Sequence, residues 1–242
     1  MAHPRILSPQ GGGRFVLLCD HASNHIPAEF LNLGLTEPDL TRHIAWDIGA
    51  AGVTEALSEL LLAPAILCGN SRLLIDCNRQ LDSPALIPIA SDGTVVPGNV
   101  ALSDSSRKAR IERWFEPYHE AVESVLLERT ARGADSIVIA IHSMTPKLAG
   151  RSRPWQIALS SYTDRRLTDP VLAALRAPGD VLVGDNEPYD IDPLIDYSIP
   201  VHALRRGLPH LQLEFRQDEI ADAAAQRRWA LRFVEALAGC NL

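Results

Sequence analysis

The chain alternates unbroken apolar runs with stretches in which apolar residues recur every three or four positions. Phe15-Val16-Leu17-Leu18-Cys19 and Ile137-Val138-Ile139-Ala140-Ile141 contain no polar residue, the mark of strands buried on both faces. Ala65 to Cys68, Leu73 to Ile75, Gln156 to Leu159, Asp180 to Gly184 and Leu211 to Phe215 read as further strands. Helical spacing predicts a helix over 48–62, where Val53, Ala56, Leu57, Leu60 and Leu61 share a face. A longer one is predicted over 105–132, with Ile111, Phe115, Tyr118, Val122, Val125 and Leu126 on one side, and two more over 165–176 and 218–237. Residues 80–104 are rich in Pro, Gly, Ser and Asp and read as a long loop, a length that accompanies function or mobility.

Strands alternating with helices predict one α/β layered domain over residues 1–242, built on a mostly parallel sheet. In such sheets ligands gather beyond the carboxyl ends of the strands. His21, Asp76, His142, Asp185 and Glu214 all fall at predicted strand ends and are expected in one crevice.

Composition narrows the function. The 23 Lys and Arg against 30 Asp and Glu, a net charge of −7, and the lack of a basic run exclude a nucleic-acid surface. No apolar stretch approaches the roughly 18 residues of a membrane span. The first 14 residues are polar, with Gly11-Gly12-Gly13, and lack the apolar core of a secretion signal. Cys19, Cys68, Cys77 and Cys240 show no C-x-x-C spacing, so neither a disulfide framework nor a cysteine zinc site is expected. A reduced, cytoplasmic setting and a small anionic substrate steered by local arginines fit these numbers.

Two imidazoles and a carboxylate arriving at buried strand ends point to chemistry, because such groups are costly to bury without a partner. His21 and His142 suit a zinc ion, whose catalytic sites take three protein ligands and leave a fourth position for water. Asp47 is one option for the third ligand, against a role as helix N-cap before Ile48; Asn24 is a poorer option. Glu214 suits a general base toward an activated water, or else a salt bridge with Arg216 or Arg206. Arg72, Asn78 and Arg79, side by side, suit bidentate recognition of a carboxylate, with an Asp76–Arg79 ion pair as the competing account. His202, Arg206 and His210 are expected at the rim, and His25, His43 and His119 on the surface or a helix face.

Cys19-Asp20-His21-Ala22-Ser23-Asn24, Trp46-Asp47, Arg72 through Arg79, Ile141-His142-Ser143 and Gly207 through Glu214 together resemble the N-formylglutamate amidohydrolase family, in order over about residues 15–220. The Asp76-Cys77-Asn78-Arg79 element is also similar to the substrate-carboxylate element of zinc carboxypeptidases and aspartoacylases. The resemblance implies a three-layer α/β/α fold of the zinc-carboxypeptidase and phosphorylase/hydrolase type, around a mixed sheet. It implies hydrolysis of an N-acyl amino acid, such as N-formyl-L-glutamate to formate and glutamate. His21, His142 and Asp47 would hold zinc, Asn78 and Arg79 would grip the substrate carboxylate with Arg72 nearby, and Glu214 would move the proton. The chain departs from the name-giving members, which carry Pro-His-Ser-Gly or Pro-His-Ala-Gly where it has Asp20-His21-Ala22-Ser23. They also carry an Asp-Thr-Asp-Trp-like motif where it has Ala45-Trp46-Asp47-Ile48. Another acylated amino acid, a small peptide, or a non-catalytic α/β binding domain are the rival readings.

Overall fold

The apolar runs become the centre of a sheet. The computed structural model describes residues 4–240, whose strands form one seven-stranded sheet and two small hairpins. The seven are β1 (Arg5–Leu7), β2 (Phe15–Cys19), β3 (Ala65–Leu67), β4 (Ile137–Met144), β5 (Ile157–Ser160), β6 (Val183–Asp185) and β7 (His210–Arg216). Their spatial order is β1-β3-β2-β4-β7-β5-β6. Strands β3, β2, β4 and β7 run parallel, β1 opposes β3, β5 opposes β7, and β6 follows β5.

Alternation along each strand divides the interior in two. Phe15, Leu17 and Cys19 of β2 join Ile137, Ile139 and Ile141 of β4 in one cluster, with Val53, Leu57, Leu172, Trp229 and Phe233. Val16, Leu18, Val138 and Ala140 face the opposite way, onto Trp114, Tyr118 and Val122. Both faces are therefore covered, which is why the runs contain no polar residue. The α-helices of seven or more residues are α1 (Ala50–Leu61), α2 (Asp104–Arg110), α3 (Glu116–Ala131), α4 (Thr168–Arg176) and α5 (Ala223–Ala238). α1, α4 and α5 cover the first face, and α3 with Trp114 and Phe115 just before it covers the second, giving the expected three layers.

Three local expectations change. The helix over 105–132 is interrupted by a π-turn at Ile111–Phe115, closed by a bond from Glu116 N to Ile111 O. Pro117 accounts for it, since its missing N–H and its ring both disfavour an ordinary turn over the carbonyl four residues back. Leu73 to Ile75 is not a strand but a buried turn, with Leu74 N and Ile75 N both donating to Ser71 O. Apolar residues were needed there to fill the core, not to pair in the sheet. The 80–104 loop contains a hairpin, Ala90–Ser91 with Thr94–Val95, and is pinned by Asn99, whose Nδ2 donates to the carbonyls of Leu73 and Pro88.

All four cysteines are free. Among the described residues no helix is long and apolar enough to cross a membrane.

Candidate active site

Register brings the site together. His142 of β4 stands opposite Glu214 of β7. It continues the Val138 and Ala140 row, while Gln212 and Glu214 form the matching row next door. At the carboxyl end of the parallel strands these rows open into a cavity of about 690 Å³. His21 follows the end of β2 at the same edge. Asp47 arrives on the segment before α1, its N–H donating to His21 O at 3.0 Å. Gly49, at φ +83°, starts that helix; a Cβ there would meet Ile220 O at 2.5 Å. Gly49 is the N-cap, so Asp47 is not capping and its carboxylate is free to turn toward the imidazoles.

Three donor atoms converge. His21 Nδ1, His142 Nδ1 and Asp47 Oδ2 form a triangle with sides of 2.9, 3.2 and 3.3 Å. Ligands at ~2.0–2.1 Å around a tetrahedral ion stand roughly 3.3 Å apart, so the spacing fits a zinc-sized cation. The outer nitrogens fit as well. His21 Nε2 lies 2.7 Å from Asp76 Oδ1, and His142 Nε2 lies 3.3 Å from Asp20 Oδ2. A carboxylate behind each ring favours the proton on the outer nitrogen and leaves the inner lone pairs facing one another. Two such lone pairs repel unless a cation lies between them. These three buried residues could hold a metal ion. Asn24 does not line this cavity, and its Nδ2 donates to Leu40 O.

The electrostatics agree. Burial disfavours charge on Asp20, yet His142 and His21 hold its carboxyl down to about 2. Asp47 is likewise lowered by the imidazoles and Asp76 by Arg72 and His21, both against burial. Burial and Arg72 oppose charge on His21, but Asp76 and Asp47 outweigh them and raise it; Asp20 and Asp47 raise His142 well above its usual range. Three ionised carboxylates around two imidazoles demand positive charge, which protons or a divalent ion can supply.

Glu214 behaves differently. Burial pushes its carboxyl up to about 7, with Asp47 adding to the rise and His142 opposing it. Its Oε1 accepts from Gln212 Nε2 at 3.2 Å, and its buried Oε2 has no hydrogen-bond partner. The salt-bridge alternatives fail, because Arg216 pairs with Asp218 and Glu219 and Arg206 with Glu123.

Arg72, Asn78 and Arg79 line the same cavity. Arg72 spans Asp76, at 2.8 Å, and Asp47, at 3.3 Å. Arg79 pairs with Asp196 at 2.9 Å rather than with Asp76. Asn78 Oδ1 accepts from the N–H groups of Tyr197 and Ser198.

The profile of one family, N-formylglutamate amidohydrolase, matches residues 13–221, a span that holds every one of these side chains. The chain belongs to the N-formylglutamate amidohydrolase family. It is similar to a solved gene product of Agrobacterium tumefaciens, with 34% identity and a TM-score of 0.94 over 98% of this chain and 96% of that one. An N-formylglutamate amidohydrolase from Ralstonia eutropha shares the fold at 20% identity, with a TM-score of 0.71 over 98% of both chains. No curated protein matches the chain.

Some residues expected in the crevice of this family member lie elsewhere. Asp185 binds Arg165 at 2.9 and 3.0 Å and does not line the cavity, because β6 sits at the sheet edge and runs against the parallel four. His202 and His210 are buried away from the rim: His202 Nε2 meets His119 Nδ1 at 2.9 Å, and His210 Nδ1 meets Leu208 O. His119, expected on the surface or a helix face, lies on α3, buried, and donates to Cys77 O. His43 does line the cavity, 3.3 Å from Asp92. Residues not foreseen also join the site, among them Asp20, Gln212, Arg153, Tyr189 and Asp196. Only Asp20 had a signal, an acidic residue directly before a candidate ligand at a buried strand end.

Proposed function

We propose that the protein is a zinc-dependent amidohydrolase that cleaves the amide of N-formyl-L-glutamate or a related N-acyl amino acid. The observation that carries this reading is the donor triangle of His21, Asp47 and His142 beside the unpartnered Oε2 of Glu214, in one cavity. When bound, zinc lowers the pKa of water to about 7 and polarises a carbonyl.

The chain's own residues do the rest. Glu214, whose pKa sits near 7, takes a proton from the attacking water at its free oxygen and passes it to the departing amine nitrogen. A base so placed contributes about 10²–10⁴ in rate. Asp76 holds the outer nitrogen of His21 and orients that ring, and Asp20 lies 3.3 Å from the outer nitrogen of His142 as a charge partner. Arg79 pairs with Asp196 through Nη1, which leaves its Nε and Nη2 edge for a ligand, and with Asn78 it grips the substrate α-carboxylate from the cavity wall. Arg72, shared between Asp47 and Asp76, keeps those carboxylates ionised and lends its remaining edge to the substrate. The four free thiols favour a reducing, cytoplasmic setting.

A panel of N-formyl, N-acetyl and N-succinyl amino acids tests this, with released amine and metal content measured on zinc-loaded protein. Glutamate release from N-formyl-L-glutamate with about one zinc per chain is expected. Failure to release amine from any member overturns the proposal.

A further inference from the structure

Three arginines line the cavity, and two of them already have carboxylate partners: Arg72 with Asp76 and Asp47, Arg79 with Asp196. Arg153 is the third. Its side chain is buried, with 8% of the residue exposed, yet no described carboxylate lies within ion-pair distance of it. Its guanidinium has only neutral partners. Nη1 donates to Thr145 Oγ1 at 3.3 Å, Nη2 donates to the Tyr189 hydroxyl at 2.5 Å, and the group lies 4.9 Å over the Tyr189 ring. A buried cation served only by hydroxyls and a ring face is an unfinished ion pair, since isolated charges are costly to desolvate.

The surroundings hold Arg153 in place for a partner from outside. Its own N–H donates to Pro146 O at 2.8 Å. Tyr189 is anchored through its carbonyl, which accepts from Ser160 Oγ at 2.7 Å. The Tyr189 hydroxyl, already accepting from Arg153, retains a proton of its own to donate. A planar carboxylate in the cavity meets both requirements, because a guanidinium presents paired donors in the matching geometry.

We propose that Arg153, positioned by Tyr189, is the specificity-determining residue of this cavity and receives the side-chain carboxylate of an acidic N-acyl amino acid. The assignment rests on the amidohydrolase reading, in which Arg79 and Asn78 take the α-carboxylate, and it makes the substrate a dicarboxylate held at both ends. Asp190 and Asp192 also line the cavity, so its charge is mixed and a single unmatched guanidinium sets where the second carboxylate rests.

The test compares N-formyl-L-glutamate, N-formyl-L-glutamine and the α-amide of N-formyl-L-glutamate on the zinc-loaded protein and on Arg153→Met. The variant is expected to lose roughly 100-fold in kcat/KM on N-formyl-L-glutamate, the cost of removing one partner of a buried charge pair, and to keep its rate on N-formyl-L-glutamine. Equal losses on both overturn the proposal by reducing Arg153 to a structural role. A loss confined to substrates with a free α-carboxylate overturns it by moving Arg153 to the other end. If Arg153→Met does not fold, Arg153→Lys carries the comparison; it keeps the charge without the fork, and undiminished discrimination in it overturns the bidentate contact. If the wild type hydrolyses none of the three, the N-formyl part of the amidohydrolase reading fails by itself. Calorimetric binding then decides Arg153: a preference for N-formyl-L-glutamate over N-formyl-L-glutamine that Arg153→Met abolishes supports it, and the absence of any preference overturns it.

Discussion

His142 and Glu214 stand side by side on neighbouring parallel strands and face the same cavity. Strands in a sheet lie about 4.8 Å apart, so the proposed general base is held next to an imidazole of the candidate metal site by backbone pairing. Glu214→Gln keeps the shape and the partner Gln212 but cannot take up a proton. Turnover is expected to fall about 10²–10⁴-fold with zinc content and circular dichroism unchanged. Unaltered turnover would remove Glu214 from the chemistry.

Asp76 reaches His21 at 2.7 Å without being one of the three ligands. Asp76→Asn is expected to weaken zinc about 10–100-fold, because carboxylates behind metal-bound imidazoles carry that much affinity. Competition against a chromophoric chelator measures it. Affinity equal to the wild type would show that the Asp76 contact does not tune the ligand.

Asp20, Asp47 and Asp76 crowd around two imidazoles, and a divalent ion can replace the protons that otherwise balance them. Zinc that binds only the folded chain is expected to raise Tm, and chelation to lower it, with Asp47→Ala insensitive to both. A Tm indifferent to saturating zinc in the wild type would contradict the donor triangle.

The buried His119–His202 pair gives an acid-sensitive term. Burial lowers His119 to about 3, helped by His202, and lowers His202 to about 4, helped by Arg206, from an ordinary value of 6.5. The unfolded chain takes up both protons as pH drops below 6.5, whereas the folded chain resists until about 4 and 3. The stability these residues contribute is therefore complete above pH 6.5 and is lost progressively as pH falls toward 3. Urea midpoints at pH 7.5 and 4.5 should diverge less in the double variant His119→Gln, His202→Gln than in the wild type. An identical divergence would acquit the pair.

Sequence pattern carried the layers well, because runs such as Ile137 to Ile141 have one physical reading, burial on both faces. It placed His21, His142 and Glu214 at one edge for a related reason, that a polar group at the end of such a run needs a partner, whereas Asp47 lies on no such run and the sequence left it open between a ligand and a helix N-cap. It failed where direction or distance along the chain mattered. Asp185 was gathered into the crevice because periodicity does not reveal that β6 runs against the parallel four. Leu73 to Ile75 imitated a strand because core filling and sheet pairing use the same side chains. Arg153 gave no signal at all, since its meaning lies in which carboxylates the fold keeps away from it.

The reversal of β5 has one more effect. Because β5 opposes β7, residues 145–156 leave β4 and enter β5 at the same end of the sheet, and they carry Thr145 and Arg153 across the cavity wall. The chain there never dips to the far side. Under the reading proposed above, changes in that bridge would retune which molecule is accepted while the pleats seating His142 and Glu214 stay put, so selectivity and reactivity would be inherited on separate stretches of polypeptide.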